Sequence, residues 1–289
     1  MSTNHLPRYF NPTNDVAFKK LFQDQAKLMD LLNSILKLQE GHKIIELTYL
    51  PCEMSPLYMG GRQSIFDLKV KDQKGYSYII EMQRKREKSY LNRIQFYGSS
   101  TFVSQIDQAM KYEDLLPVVV ISILGTKIFT PDVPYISYHR CLEDTTKQQF
   151  LFATTYVFVE LGKFDGDTIQ NDADAWLHLF KCAATEDSPP EEIHNPNIIG
   201  AYAELEKYKW TKDEYDAYIR SSLAAEGEED RLTEGLEEKY EEGREAGREE
   251  GRHKEKLETA RRFYTLGLSD KIIIEGTGIS KQELQKIKK

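Results

Sequence analysis

The stretch Ser64–Gln83, SIFDLKVKDQKGYSYIIEMQ, decides the fold. Apolar and polar residues alternate on both sides of KDQKG, which predicts two strands joined by a tight turn. Hydrophobicity fixes the register, because a slip of one residue would turn every side chain to the opposite face. Centring the hairpin on Lys74 sets Phe66 against Met82, Leu68 against Ile80 and Val70 against Tyr78, three apolar pairs on one face. The loop is then Gln73, Lys74 and Gly75, a three-residue turn whose last position favours a left-handed backbone, and glycine occupies it. The same register places Asp67 opposite Glu81 on the other face, with Ile65 opposite Gln83.

Two carboxylates directly across a strand pair have Cβ atoms about 4.5–5.5 Å apart and repel one another. A divalent cation, Mg²⁺ or Mn²⁺, would offset that repulsion and bridge to a phosphate, which points to phosphodiester hydrolysis. Taken alone, the pair fits an exposed hairpin face of solvated acids at least as readily. Its neighbours shift the balance. Gln83 shares the face and is able to orient a water by hydrogen bonding. A basic cluster, Arg84, Lys85, Arg86, Lys88 and Arg93, begins where the strand ends and suits the admission of a polyanion such as double-stranded DNA. Arg93 and Tyr97 stand one helical turn apart and face either the cleft or, for Tyr97, the core.

Working outward, Thr13, Asn14 and Asp15 offer capping chemistry ahead of apolar residues at helical spacing from Val16 to Ile35, with a break expected near Asp24. IIELTYL, 44–50, has strand composition and ends at Pro51. Tyr90–Lys111 predicts a helix, and PVVVISIL, 117–124, a strand buried on both faces. Further strands are expected at 135–140 and 154–161, then helices from Ala173 to about Leu223. The expected organisation is a core over 1–165, a helical extension over 166–223, a charged helical linker over 224–258 and a small helix-turn-helix-like tail over 259–289. The linker carries 14 acidic against 7 basic residues, and the tail 7 basic against 3 acidic, within a chain of net charge -8. The tail either contacts DNA or forms an apolar docking pair through Ile272, Ile273, Ile279, Leu284 and Ile287.

Composition narrows the function classes. The longest apolar run is too short to span a bilayer, no secretory pattern opens the chain, and a cytoplasmic, membrane-free protein is expected. Cys52, Cys141 and Cys182 are odd in number and far apart, so reduced structural cysteines are expected. No phosphate-binding glycine motif occurs, which argues against a nucleotide cofactor, and the histidines form no H-E-x-x-H zinc site.

The segments FNPTNDVAFKKLF, SIFDLKVKDQKGYSYIIEMQ, RIQFYGSS and LLPVVVISIL together resemble the PD-(D/E)XK nuclease superfamily, and within it the bacterial recombination-promoting nuclease family, also labelled putative transposase. The resemblance covers about residues 8–125. It implies an α/β restriction-endonuclease-like core of helix, three strands, helix and strand around a mixed sheet, here with a helical C-terminal extension. It further implies a metal-dependent endodeoxyribonuclease linked to recombination or mobile elements, with Asp67, Glu81 and Gln83 catalytic and Asp67 and Glu81 holding metal. Asp15 takes the place of the first-helix acid; it is either a further metal ligand or an acid stabilised by the helix dipole. Phe66 stands where the motif has proline, and Gln83 where it has lysine. The competing expectation is a catalytically silent DNA-binding or partner-binding protein that keeps the fold. A homodimer is a candidate assembly.

Overall fold

The computed structural model describes residues 8–54, 64–106 and 111–287, with the side chains of 54, 64, 65 and 228–251 outside the description. Expectations for residues 1–7, for Gly60–Gly61 and for 107–110 fall outside the described residues. The chain forms two compact units, residues 1–222 and 223–289.

In the first unit, Asn14 caps α1 (Asp15–Leu21) by accepting from the Val16 N–H at 2.9 Å. The break falls where expected, since Asp24 caps α2 (Gln25–Leu36) through the Ala26 N–H. The strands are β1 (Leu47–Tyr49), β2 (Glu53–Met54), β3 (Ser64–Ile65), β4 (Leu68–Asp72) and β5 (Ser77–Gln83), then, after α3 (Tyr90–Val103), β6 (Val118–Leu124), β7 (Ile136–His139) and β8 (Thr154–Glu160). β1 is shorter than the run 44–50 suggested. The main sheet has the order β1-β4-β5-β6-β8-β7, with β5, β6 and β8 mutually parallel and the outer pairs antiparallel. β5-α3-β6 is thus a crossover unit, which a parallel pair requires. β6 lies between two parallel neighbours with helices on both faces, and this accounts for its unbroken apolar run.

The hairpin has the register that hydrophobicity demands, Leu68 opposite Ile80 and Val70 opposite Tyr78. Gly75 closes the turn at φ 84°, while the Asp72 carboxylate accepts from the Lys74 and Tyr76 N–H groups at 2.9 Å. A Cβ on Gly75 would also lie 2.7 Å from Leu116 Cδ1. Gly75→Ala should therefore cost about 1–2 kcal/mol from the left-handed backbone alone. An unchanged urea midpoint would mean that the turn does not hold the register.

One pairing is corrected. Phe66 does not face Met82: the ladder stops at Leu68, and the Phe66 N–H donates to the Cys52 carbonyl at 2.9 Å instead. The chain there changes partner, β3 pairing with β2 and β4 with β1 and β5. Phe66 consequently turns to the α3 face, packing with Ile79, Tyr90 and Ile94, whereas Met82 stays on the opposite face.

Beyond β8, α4 (Asp172–Cys182) and α5 (Pro196–Leu205) share one core with α1, α2 and the Leu68/Val70/Ile80 face of the sheet. Residues 166–222, read from sequence as an extension, thus lie inside the first unit. Trp176 sits fully buried in that core, and its indole N–H donates to Asp30 at 2.8 Å.

The expected charged helical linker, 224–258, lies within one helix, α6, which runs unbroken over Lys212–Thr265. This span contains no proline, and its Glu, Arg, Lys and Ala content outweighs the cost of its glycines. In the second unit α6 ends before Gly267, φ 80°, and is followed by α7 (Asp270–Thr277) and α8 (Lys281–Ile287). α8 opens with the expected capping box: Glu283 accepts from the Ser280 N–H at 2.7 Å and donates its own N–H to Ser280 Oγ at 3.2 Å. Ile273, Ile279 and Leu284 are buried with Ala260 in this unit's own core, which corrects their reading as a docking surface; Ile272 alone of that set is largely exposed.

Candidate active site

The break after Phe66 builds the site. As the main chain turns away from β5, the Asp67 side chain takes over as acceptor, and its Oδ2 receives the Met82 N–H at 2.7 Å. In return the Asp67 N–H points to Glu81 Oε1 at 3.3 Å. The two acids are therefore adjacent, as the register predicts, but joined through side chains rather than by a ladder pair. One oxygen of each carboxylate remains outside these bonds. Glu81 is only 6% exposed, and on β6 its neighbour in register is Ser122.

Burial raises the pKa of both acids. For Asp67 the Met82 N–H opposes this and the Asp15 charge adds to it; for Glu81 the Asp67 charge adds to the burial, lifting it well above the ordinary carboxylate range. A folded-state pKa above the unfolded value gives stability that is complete at low pH and is lost as pH rises through the folded value. The metal-free protein should therefore melt at falling temperature as pH climbs from about 5 into the neutral range, and Glu81→Gln should flatten the decline. Parallel melting curves for the two proteins across that range would contradict the placement of Glu81.

Around Glu81, the Tyr90 and Ser122 hydroxyls are near neighbours. With Arg93 Nε they are buried without a hydrogen-bond partner among the described residues. Such groups call for an ordered water or ligand. Gln83 is held at both ends of its amide, accepting from Arg93 at 2.8 Å and donating to the Lys85 carbonyl at 2.9 Å. Arg93 is also tied to Glu87 at 2.6 Å and lies over the Tyr90 ring. Its guanidinium is thus part of the site's internal scaffold. Tyr97 packs edge-on against Phe66, ring centroids 4.9 Å apart, and burial followed by the Glu81 charge raises its pKa, so the residue serves the core while its hydroxyl stays near the acids. Arg84, Arg86 and Lys88 are exposed on the segment between β5 and α3, and Lys85 is half-buried.

A cleft of about 480 Å³ opens beside Asp67, lined by Lys19, Phe22, Gln23, Tyr49, Cys52, Glu53, Phe66, Asp67 and Leu68. Sequence reading had not singled out Lys19. Its ammonium lies 2.8 Å from Asp15 Oδ1, one turn earlier on α1. Burial opposes the charge, but the Asp15 hydrogen bond and the Asp15 and Asp67 charges outweigh it and raise the pKa. The available signal was the Asp-x-x-x-Lys spacing of residues 15–19.

Asp67 and Glu81 fit a hard divalent cation: both ligands are oxygens, and a two-carboxylate site leaves room for waters and a phosphate. No group of three His, Cys, Asp or Glu side chains converges among the described residues, so Asp15 does not complete such a set. The cysteines are free; Cys52 and Cys182 are half-buried, whereas Cys141 is exposed. No helix among the described residues is long and apolar enough to cross a membrane.

No curated protein matches the chain, and no solved structure does. A family model does, described as PD-(D/E)XK nuclease family transposase and spanning residues 12–233, which takes in the six-stranded mixed sheet, both acids and the helices that pack on them. The chain belongs to that family.

Proposed function

We propose that the protein is a Mg²⁺- or Mn²⁺-dependent endonuclease of double-stranded DNA, with Asp67 and Glu81 as metal ligands. The observation that carries this reading is the mutually repelling acid pair, Glu81 buried and Asp67 half-buried, with one oxygen of each left outside hydrogen bonds among the described residues. When bound, the ion supplies Lewis acidity at the scissile phosphate and brings the attacking water's pKa toward neutrality. The chain supplies the rest. Asp67 and Glu81 would hold the ion as carboxylates, and its positive charge would offset the burial and mutual repulsion that oppose ionisation of Glu81. Arg93 and the Lys85 carbonyl fix the plane of the Gln83 amide, leaving a second N–H to orient the water. Arg84, Arg86 and Lys88, exposed beyond the end of β5, supply phosphate contacts that position the duplex without reading sequence.

The test is nicking of supercoiled plasmid by the purified protein in Mg²⁺, in Mn²⁺ and in chelator. Relaxed product that needs the metal is the expected result. Retention of DNA in a gel shift, with no cleavage in any divalent metal, would instead favour a silent DNA-binding protein.

A further inference from the structure

A phosphodiester under attack gathers negative charge on its phosphoryl oxygens, and phosphoryl-transfer sites meet it with a preorganised cation. Gln83 is neutral, and the Arg93 guanidinium is bound to Glu87 and to Gln83 itself. Among the described residues that line it, the cleft beside Asp67 nevertheless has one cationic side chain, and it comes from another element. Lys19 projects from α1, with Asp15 one turn behind it holding the ammonium at 2.8 Å. An acid placed four residues before a lysine is the favourable order for such a pair on a helix. Asn14 caps α1 immediately before Asp15, and Ala17, Phe18 and Leu21 anchor the helix in the core, so the opposite, exposed face that carries Asp15 and Lys19 is held in a fixed direction.

We propose that Lys19 is a catalytic residue, its ammonium contacting the scissile phosphate, and that Asp15 is the positioning residue that aims it rather than a metal ligand. This rests on the nuclease reading above. On this view the positive charge that the β5 position lacks at Gln83 is delivered across the cleft from α1. The alternative is that Asp15 and Lys19 form an ordinary surface ion pair with no part in the chemistry, and the two make different forecasts.

The experiment uses the full-length protein, with single-turnover plasmid cleavage as one readout and Mn²⁺ binding, followed by electron paramagnetic resonance of free Mn²⁺, as the other. In Lys19→Met, cleavage should fall about 100-fold, the loss typical of one preorganised electrostatic group. Mn²⁺ affinity should rise several-fold in the same variant, because a repelling charge has left the acid pair. Lys19→Arg should retain measurable cleavage, and its melting temperature checks the fold. Adding Gln83→Lys to Lys19→Met should recover at least about tenfold of the lost rate by restoring a cation from the β5 side. Asp15→Asn should lower the cleavage rate yet keep Mn²⁺ binding.

Cleavage by Lys19→Met within threefold of wild type overturns the catalytic assignment. Loss of Mn²⁺ binding in Asp15→Asn as complete as in Glu81→Ala makes Asp15 a ligand and overturns its positioning role. If the wild type binds Mn²⁺ but cuts no DNA, the nuclease reading fails on its own. The Mn²⁺ arm then decides the placement: unchanged affinity in Lys19→Met removes Lys19 from the acid pair.

Discussion

Glu81→Ala should lower metal-dependent DNA cleavage by about 10³-fold or more, the scale on which losing a centre of transition-state charge stabilisation is felt. The variant should also melt at a higher temperature than the wild type in chelator at pH 8, since it deletes a buried acid whose ionisation burial and Asp67 both oppose. Loss of cleavage coupled to a gain in apo stability separates a functional carboxylate from a structural one. Asp67→Ala should be equally inactive but should not gain stability, because it leaves the Met82 N–H without its 2.7 Å acceptor, a cost of about 1–3 kcal/mol that exceeds the loss of the longer 3.3 Å contact from the Asp67 N–H in Glu81→Ala. Plasmid nicking and thermal melts on the same preparations check both statements. Cleavage by either variant near the wild-type rate would remove the acid pair from the mechanism.

Trp176→Ala should destabilise the first unit by about 3–5 kcal/mol, the range for removing a large aromatic from a packed core. The indole is wholly buried between Phe22 and Phe180, with centroids 5.8 and 6.2 Å away, and its N–H bonds to Asp30. Asn195 also donates to Asp30, at 3.0 and 3.1 Å, so the carboxylate keeps a partner and the main loss is the cavity. Trp176→Phe should cost clearly less. Because α4 lies beyond residue 165, a large loss in a urea titration that follows the β-sheet signal would establish that these helices fold with the nuclease sheet as one unit. A shift of under about 1 kcal/mol would instead mean that α4 melts independently.

The hairpin was legible because two unrelated constraints, paired apolar residues and a glycine at the left-handed position, agree on one register. Asp67 and Glu81 followed from it. The turn of Phe66 toward α3 was not legible, since alternation of residues describes a strand that keeps one partner and is silent on where a chain changes sheets. The same change of partner gives Asp67 its bond to Met82, a side-chain substitution for the backbone that no periodicity reports. Lys19 escaped for a different reason: its place in the cleft depends on how α1 meets the sheet, a tertiary relation, while locally it is one of two lysines after a buried phenylalanine. The charged segment 224–258 was legible as helix from its composition, but its continuity with the helical residues on either side was not, because charge runs and glycines mark a change of segment without ending a helix in the absence of proline. Ile273, Ile279 and Leu284 read as sticky because sequence gives amphipathicity without saying which surface receives it.

The bond from Asp67 to the Met82 amide bears on how such a site would drift. A descendant released from selection for the proposed cutting would still be penalised for losing the oxygen at position 67, because a part-buried strand N–H depends on it. Asparagine would satisfy that amide as well as aspartate does, so the charge is free to vanish while the acceptor stays. Glu81 is under the opposite pressure: the fold alone gains by its neutralisation, and only a use for the ionised form argues for keeping it. On the proposed function, glutamate at 81 is therefore the informative witness to activity among natural variants of this chain, and glutamine there beside an unchanged Asp67 would mark a chain without it.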